Sequence, residues 1–159
     1  MGRLASASVS VLVGALVLGI PAMAAGSGAP GGATPIAITV QAGNVDGDAV
    51  GTFTLIGAVS DSGKSHVIGN TSSAKPVLGQ KLYTGRSRGP GELDGRKGHL
   101  SITWSGSFFP VNRTTLVTTG SWRIRGGTGI YTTWQGSGSF VSVGRDGSFE
   151  ARFDGLVTR

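Results

Sequence analysis

From Ile36 onward, long stretches of the chain place apolar residues at every second position. Ile36, Ile38 and Val40 alternate with Ala37, Thr39 and Gln41, and Phe53, Leu55, Gly57 and Val59 continue the period. Leu100, Ile102, Trp104, Gly106 and Phe108 alternate with His99, Ser101, Thr103, Ser105 and Ser107. Leu116, Thr118, Gly120, Trp122 and Ile124 repeat the scheme against Val117, Thr119, Ser121, Arg123 and Arg125. In the last segment Phe149, Ala151, Phe153 and Val157 share one face, and Glu150, Arg152 and Asp154 take the other. A period of two with one apolar face predicts antiparallel strands buried on one side and wet on the other. No segment after Ile36 holds the 3.6-residue period of a helix. Asp61-Ser62-Gly63, Asp94-Gly95 and Arg145-Asp146-Gly147 read as hairpin turns, because Asp and Gly tolerate positive φ. Gly106, Gly120, Gly136 and Gly138 fall inside strand patterns, where a missing Cβ lets a sheet bend sharply. The regular spacing predicts an all-β fold over 36–159, a closed antiparallel barrel of about eight strands.

The first 24 residues read as a signal peptide. Arg3 supplies the positive start, Val9 to Ile20 is apolar, Pro21 breaks the run, and Ala22-Met23-Ala24 offers small residues for cleavage. The apolar run is shorter than a comfortable bilayer span. The expectation is export, with no stable membrane insertion after cleavage and a secreted or extracytoplasmic location. Residues 25–35 are rich in Gly, Ala, Ser and Pro and read as a flexible lead-in.

Composition narrows the chemistry. There are no cysteines, which removes disulfides, thiolate metal sites and thiol nucleophiles. The 29 glycines in 159 residues far exceed the average share of about 7%. The net charge is +6, but the basic residues are scattered and form no nucleic-acid motif, so no nucleic-acid partner is expected.

Gly126-Gly127-Thr128-Gly129-Ile130-Tyr131, leading into Gly136-Ser137-Gly138-Ser139-Phe140, resembles the Gly-Gly-Thr-Gly-aromatic stretch of allene oxide cyclase-like and dirigent-like barrels. Leu93-Asp94-Gly95-Arg96-Lys97-Gly98-His99-Leu100, followed by Trp104-Ser105-Gly106-Ser107-Phe108, is similar to small secreted bacterial barrels of the same shape. The resemblance covers about half of the chain. It implies a calycin-like barrel of eight antiparallel strands with an apolar interior. It also implies action by holding a flexible apolar molecule in a reactive shape, as in a plant isomerase that cyclises an unsaturated epoxide and in proteins that steer radical coupling. No residue maps onto a catalytic acid of that isomerase. Gly126, Gly127, Thr128 and Gly129 read as a structural motif, a tight turn between strands in which Thr128 bonds the backbone.

The residues themselves offer little acid–base machinery. Glu150 and Asp154 face outward beside Arg152, unlike a glycosidase pair with one buried carboxyl. His66 and His99 are the only histidines, and serines are too common for adjacency to mean much. Asp46-Gly47-Asp48 with Asn44 lacks the spacing and terminal Glu of a calcium loop. No metal and no cofactor is expected. Asn70-Thr71-Ser72 and Asn112-Arg113-Thr114 are formal glycosylation sequons.

The tryptophans carry more. Trp104, Trp122 and Trp134 fall on even positions of three successive expected strands, with Phe108 and Phe140. They read either as core or as the wall of an apolar pocket, with Tyr83 and Tyr131 as polar contacts. Three functions stay open: a barrel binding an apolar small molecule, a cyclase or isomerase acting through shape, and a surface or carbohydrate binder with exposed coplanar tryptophans. Self-assembly into a homo-oligomer also stays open.

Overall fold

The structure, a computed structural model, describes residues 32–45, 48–77 and 83–159. The expected leader 1–24 lies outside the described residues. Nine strands follow: β1 (Thr34–Val45), β2 (Asp48–Gly57), β3 (Asp61–Val67), β4 (Asn70–Pro76), β5 (Tyr83–Gly95), β6 (Gly98–Pro110), β7 (Thr115–Gly127), β8 (Gln135–Arg145) and β9 (Ser148–Thr158). One short 3-10 turn, Gly129–Tyr131, lies between β7 and β8. β1 begins at Thr34, so the last two residues of the expected lead-in, Thr34 and Pro35, belong to the sheet opposite Val157 and Leu156.

The strands form a closed antiparallel barrel with eight wall positions. Apart from β3 and β4, strands adjacent in sequence pair with each other, and β1 closes the ring on β9. β3 and β4 share one position: β3 pairs with Gly91–Gly95 of β5, and β4 pairs with Tyr83–Arg88 of the same strand. The break falls at Ile68 and Gly69, where the Ile68 N–H still reaches the Pro90 carbonyl at 3.1 Å.

The alternating pattern sets the facing. Ile36, Ile38, Val40, Phe53, Leu55, Leu100, Ile102, Trp122, Phe153 and Val157 are buried inside. Paired glycines let the wall curl tightly. Gly106 lies opposite Gly120, and Gly138 opposite Gly155. A Cβ on Gly138 would collide with the Asp154 carbonyl, and one on Gly155 would stand 2.7 Å from Cζ2 of Trp122. The bare backbone there is what makes room for the indole.

Two of the three turn readings shift. Asp146 (φ 48°) and Gly147 (φ 80°) form the expected two-residue hairpin turn between the paired Arg145 and Ser148. Asp94-Gly95 instead ends β5, and Arg96-Lys97 make the turn to Gly98 (φ 145°). Asp61-Ser62-Gly63 is not a turn but opens β3, because the Asp61 carboxylate is engaged inside the barrel end.

That carboxylate is only 6% exposed and takes four donors. Oδ1 accepts from the N–H groups of Ser62 (2.8 Å) and Arg96 (3.1 Å). Oδ2 accepts from the Lys97 N–H (3.3 Å) and the Tyr131 hydroxyl (2.6 Å). Burial pushes the Asp61 pKa up, but the Tyr131 hydroxyl and the three amides outweigh it and hold it below the ordinary carboxylate value. Burial, and then the bond to Asp61, push the Tyr131 hydroxyl far up, so it stays a donor. Trp134 stacks edge-on against Tyr131 at 4.9 Å, and the Arg159 guanidinium lies 5.5 Å above the Trp134 ring. These contacts plug one end of the barrel.

Tyr131→Phe strips a donor from a buried carboxylate and should cost about 1–3 kcal/mol in urea unfolding. Because the folded Asp61 pKa is lowered, its contribution is fully present above about pH 4 and is lost as pH falls through the folded value. Wild type should therefore lose more stability on acidification than Asp61→Asn. An equal acid loss in both proteins would remove Asp61 from this role.

Candidate functional site

Among the described residues the other end is open. The β6–β7 and β8–β9 connections lie there, and a cavity of about 620 Å³ sinks from it into the barrel. Trp104, Phe108, Phe140, Phe149 and Phe153 supply its aromatic lining, together with Val67 and Ala151. The rings lock one another in place: Trp104 meets Phe140 edge-on at 5.7 Å, Phe140 stacks on Phe153 at 5.2 Å, and Phe153 meets Trp122 edge-on at 6.4 Å.

The cavity is apolar but not wholly so. Thr118 and Ser142, paired across β7 and β8, contribute hydroxyl-bearing residues. Trp104 Nε1 and Thr115 Oγ1 are buried without a hydrogen-bond partner among the described residues, and both residues line the cavity. The charged residues in the lining are Arg113, Arg145 and Asp146, all in or beside the connections at the mouth. The β6–β7 loop is held by Asn112, whose Oδ1 accepts from the N–H groups of Thr114 (2.9 Å) and Thr115 (2.8 Å) and from the Thr114 hydroxyl (3.2 Å). The Asn in that sequon therefore has a structural duty.

Of the residues singled out by sequence, Trp104, Phe108 and Phe140 meet at this cavity. Trp122 lies outside its lining, 2% exposed, with Nε1 donating to the Ser139 and Asp154 carbonyls at 3.2 Å each. Tyr131 and Trp134 are at the opposite, plugged end. Trp134 is not on a strand at all: it precedes β8, because the chain between β7 and β8 is a seven-residue connection rather than a tight turn. Gly126 and Gly127 end β7, and Gly129 (φ 60°) enters the 3-10 turn. Thr128 does bond the backbone: its Oγ1 accepts from the His99 N–H at 3.1 Å, and its own N–H donates to the His99 carbonyl at 2.8 Å. Tyr83 opens β5 at the mouth end, and its side chain lies outside the described residues. The sequence reading missed Thr115, Thr118, Ser142 and Phe153 as cavity residues. Phe153 was legible as inward-facing, but its place beside Phe140 depends on strand register.

A second constellation lies on the outer wall. His99 and Asp94 are cross-strand partners, as are Glu92 and Ser101. His99 Nδ1 is 2.6 Å from Asp94 Oδ1, and Nε2 is 2.8 Å from Glu92 Oε2. The Ser101 hydroxyl donates to Glu92 Oε1 at 3.0 Å, not to the histidine, so no activated serine results. A neutral imidazole has one N–H, whereas two carboxylates here ask for two, which favours the imidazolium. The bond to Asp94 raises the His99 pKa, burial opposes it, and Glu92 adds to the rise. His66 and Asp48 form a separate exposed pair at 2.9 Å. Among the described residues no three His, Asp or Glu side chains are placed to hold a metal ion.

No protein-family model matches the chain, nor does any curated protein or solved structure.

His99 should titrate above the ordinary histidine value of about 6.5, and Asp94→Asn should bring it down. The linked stability is fully present below that value and is lost as pH rises through the folded pKa. NMR titration of the imidazole checks both; a wild-type His99 titrating at or below 6.5 would contradict the clamp.

Proposed function

We propose that this barrel is an exported binder of an apolar small molecule, held in the cavity at its open end. The observation that carries the reading is the aromatic-walled cavity itself, whose volume falls in the range of about 300–1,000 Å³ usual for small-molecule sites. Trp104 Nε1 and Thr115 Oγ1 would each gain a partner from a ligand carrying a hydrogen-bond acceptor. Binding is preferred to catalysis because, among the described residues, the charged groups of the lining stand at the mouth. Cyclisation by shape, which the allene oxide cyclase-like resemblance implies, would use the same wall. A carbohydrate platform is disfavoured, since Trp122 and Trp134 are buried and Trp104 lies half-buried in the cavity wall. Export rests on the leader pattern of residues 1–24.

An uncharged, environment-sensitive naphthylamine should bind saturably and quench tryptophan emission. Ser142→Phe, which fills the cavity from an inward position, should weaken that binding at least about tenfold while leaving the melting temperature unchanged or higher. Undiminished binding to a folded Ser142→Phe protein, or no saturable binding by wild type, would sink the proposal.

A further inference from the structure

The outer wall of this barrel is not uniformly polar. Around its waist the outward positions of β6, β7 and β8 are Ser105, Ser107, Thr119, Ser121, Ser137 and Ser139. Toward the mouth they turn apolar. Phe109, Val117 and Val143 form one cross-strand row, and Val141 stands beside it. Phe109, Val141 and Val143 are each more than two-fifths exposed, and Val111, in the loop above them, is 65% exposed. That loop is fixed by Asn112 Oδ1, which accepts from the Thr115 N–H, and by the Val111 N–H bond to the Thr115 carbonyl at 2.9 Å. Val111 is thus held out in water by a built turn.

The charge around this collar is mainly positive. Arg113 and Arg145 stand at the mouth, Arg86 lies opposite Ser107 on the neighbouring strand, and Lys75 is near the end of β4. None of the four has an ion pair among the described residues. The carboxylates close by are Asp146 in the β8–β9 turn and Glu150 opposite Val143; Asp154 is already matched by Arg152 at 2.9 Å. An exposed apolar ridge flanked by unpaired cations is the pattern of a surface that lies in the interface of an anionic bilayer. A second copy covering the same row is the other occupant, and the test below separates the two.

From this arrangement we infer that the β6–β8 side of the mouth docks on anionic lipid bilayers, with Val111 and Phe109 dipping among the headgroups and Arg113 and Arg145 on the lipid phosphates. Docking there sets the cavity opening against the lipid. The inference does not depend on the cavity taking a ligand, since it concerns the outer wall.

The absence of cysteine makes a local test clean. Val111→Cys and Ile56→Cys, the latter 54% exposed at the plugged end, are each labelled with an environment-sensitive dye in the full chain. They are mixed with vesicles of phosphatidylcholine, with or without phosphatidylglycerol, carrying a lipid-bound quencher. The dye at 111 should shift to the blue and be quenched on the phosphatidylglycerol vesicles, and high salt should reverse this; the dye at 56 should stay in water. Because each dye reports its own position, adhesion through the apolar segment 9–20 does not mimic the result. Arg113→Gln with Arg145→Gln should weaken binding about 25-fold, at roughly fivefold per cation near the surface. Equal quenching at both sites, or none at 111, would overturn the inference. So would protection of the dye at 111 by raising protein concentration without lipid, which would mark the collar as a contact between copies.

Discussion

The barrel depends on one buried carboxylate having enough donors. Asp61 stands where three connections converge: the turn into β3, the Arg96-Lys97 turn and the 3-10 segment ending at Tyr131. Each contributes an N–H or O–H to the same two oxygens. An ionised carboxyl this deep is unfavourable unless its lone pairs are filled. Here the filling groups come from the start of β3, the Arg96-Lys97 turn and the 3-10 segment, so the anion organises the end of the barrel and ties segments 70 residues apart into one closure.

Side-chain size decides why one half of the interior is solid and the other hollow. On the plugged side the inward residues are large: Ile38, Leu55, Leu93, Leu100, Ile102 and Trp122. Toward the mouth they shrink to Ala49, Thr118, Ser142, Gly144 and Ala151. Eight strands enclose a space that side chains can just fill or that can admit one small molecule. The tetrad of Trp104, Phe140, Phe153 and Trp122 marks the boundary between the two, with three of its rings facing the cavity.

Much of this was written in the chain. The period of two gave the all-β class and the inward faces, and the in-strand glycines pointed to closure, as Gly138 opposite Gly155 illustrates. What stayed hidden depended on register and on partners far away in sequence. Trp134 matches the parity of an inward strand residue, yet it sits in a connection, because seven residues rather than a tight turn separate β7 from β8. Asp61-Ser62-Gly63 has turn chemistry, and only Tyr131, 70 residues on, explains why it opens a strand. The cavity was legible in its aromatics but not in its emptiness, since no local pattern tells that Thr118 and Ser142 face each other across two strands.

The pairing of β1 with β9 carries a consequence for how the molecule is held. Thr34 lies opposite Val157, so the chain enters and leaves the barrel side by side, at the plugged end. Any leash joined to either terminus grips the barrel by its base. The opening points the other way, and among the described residues its rim carries the β6–β7 and β8–β9 connections, whose lengths can drift without disturbing the ring beneath them.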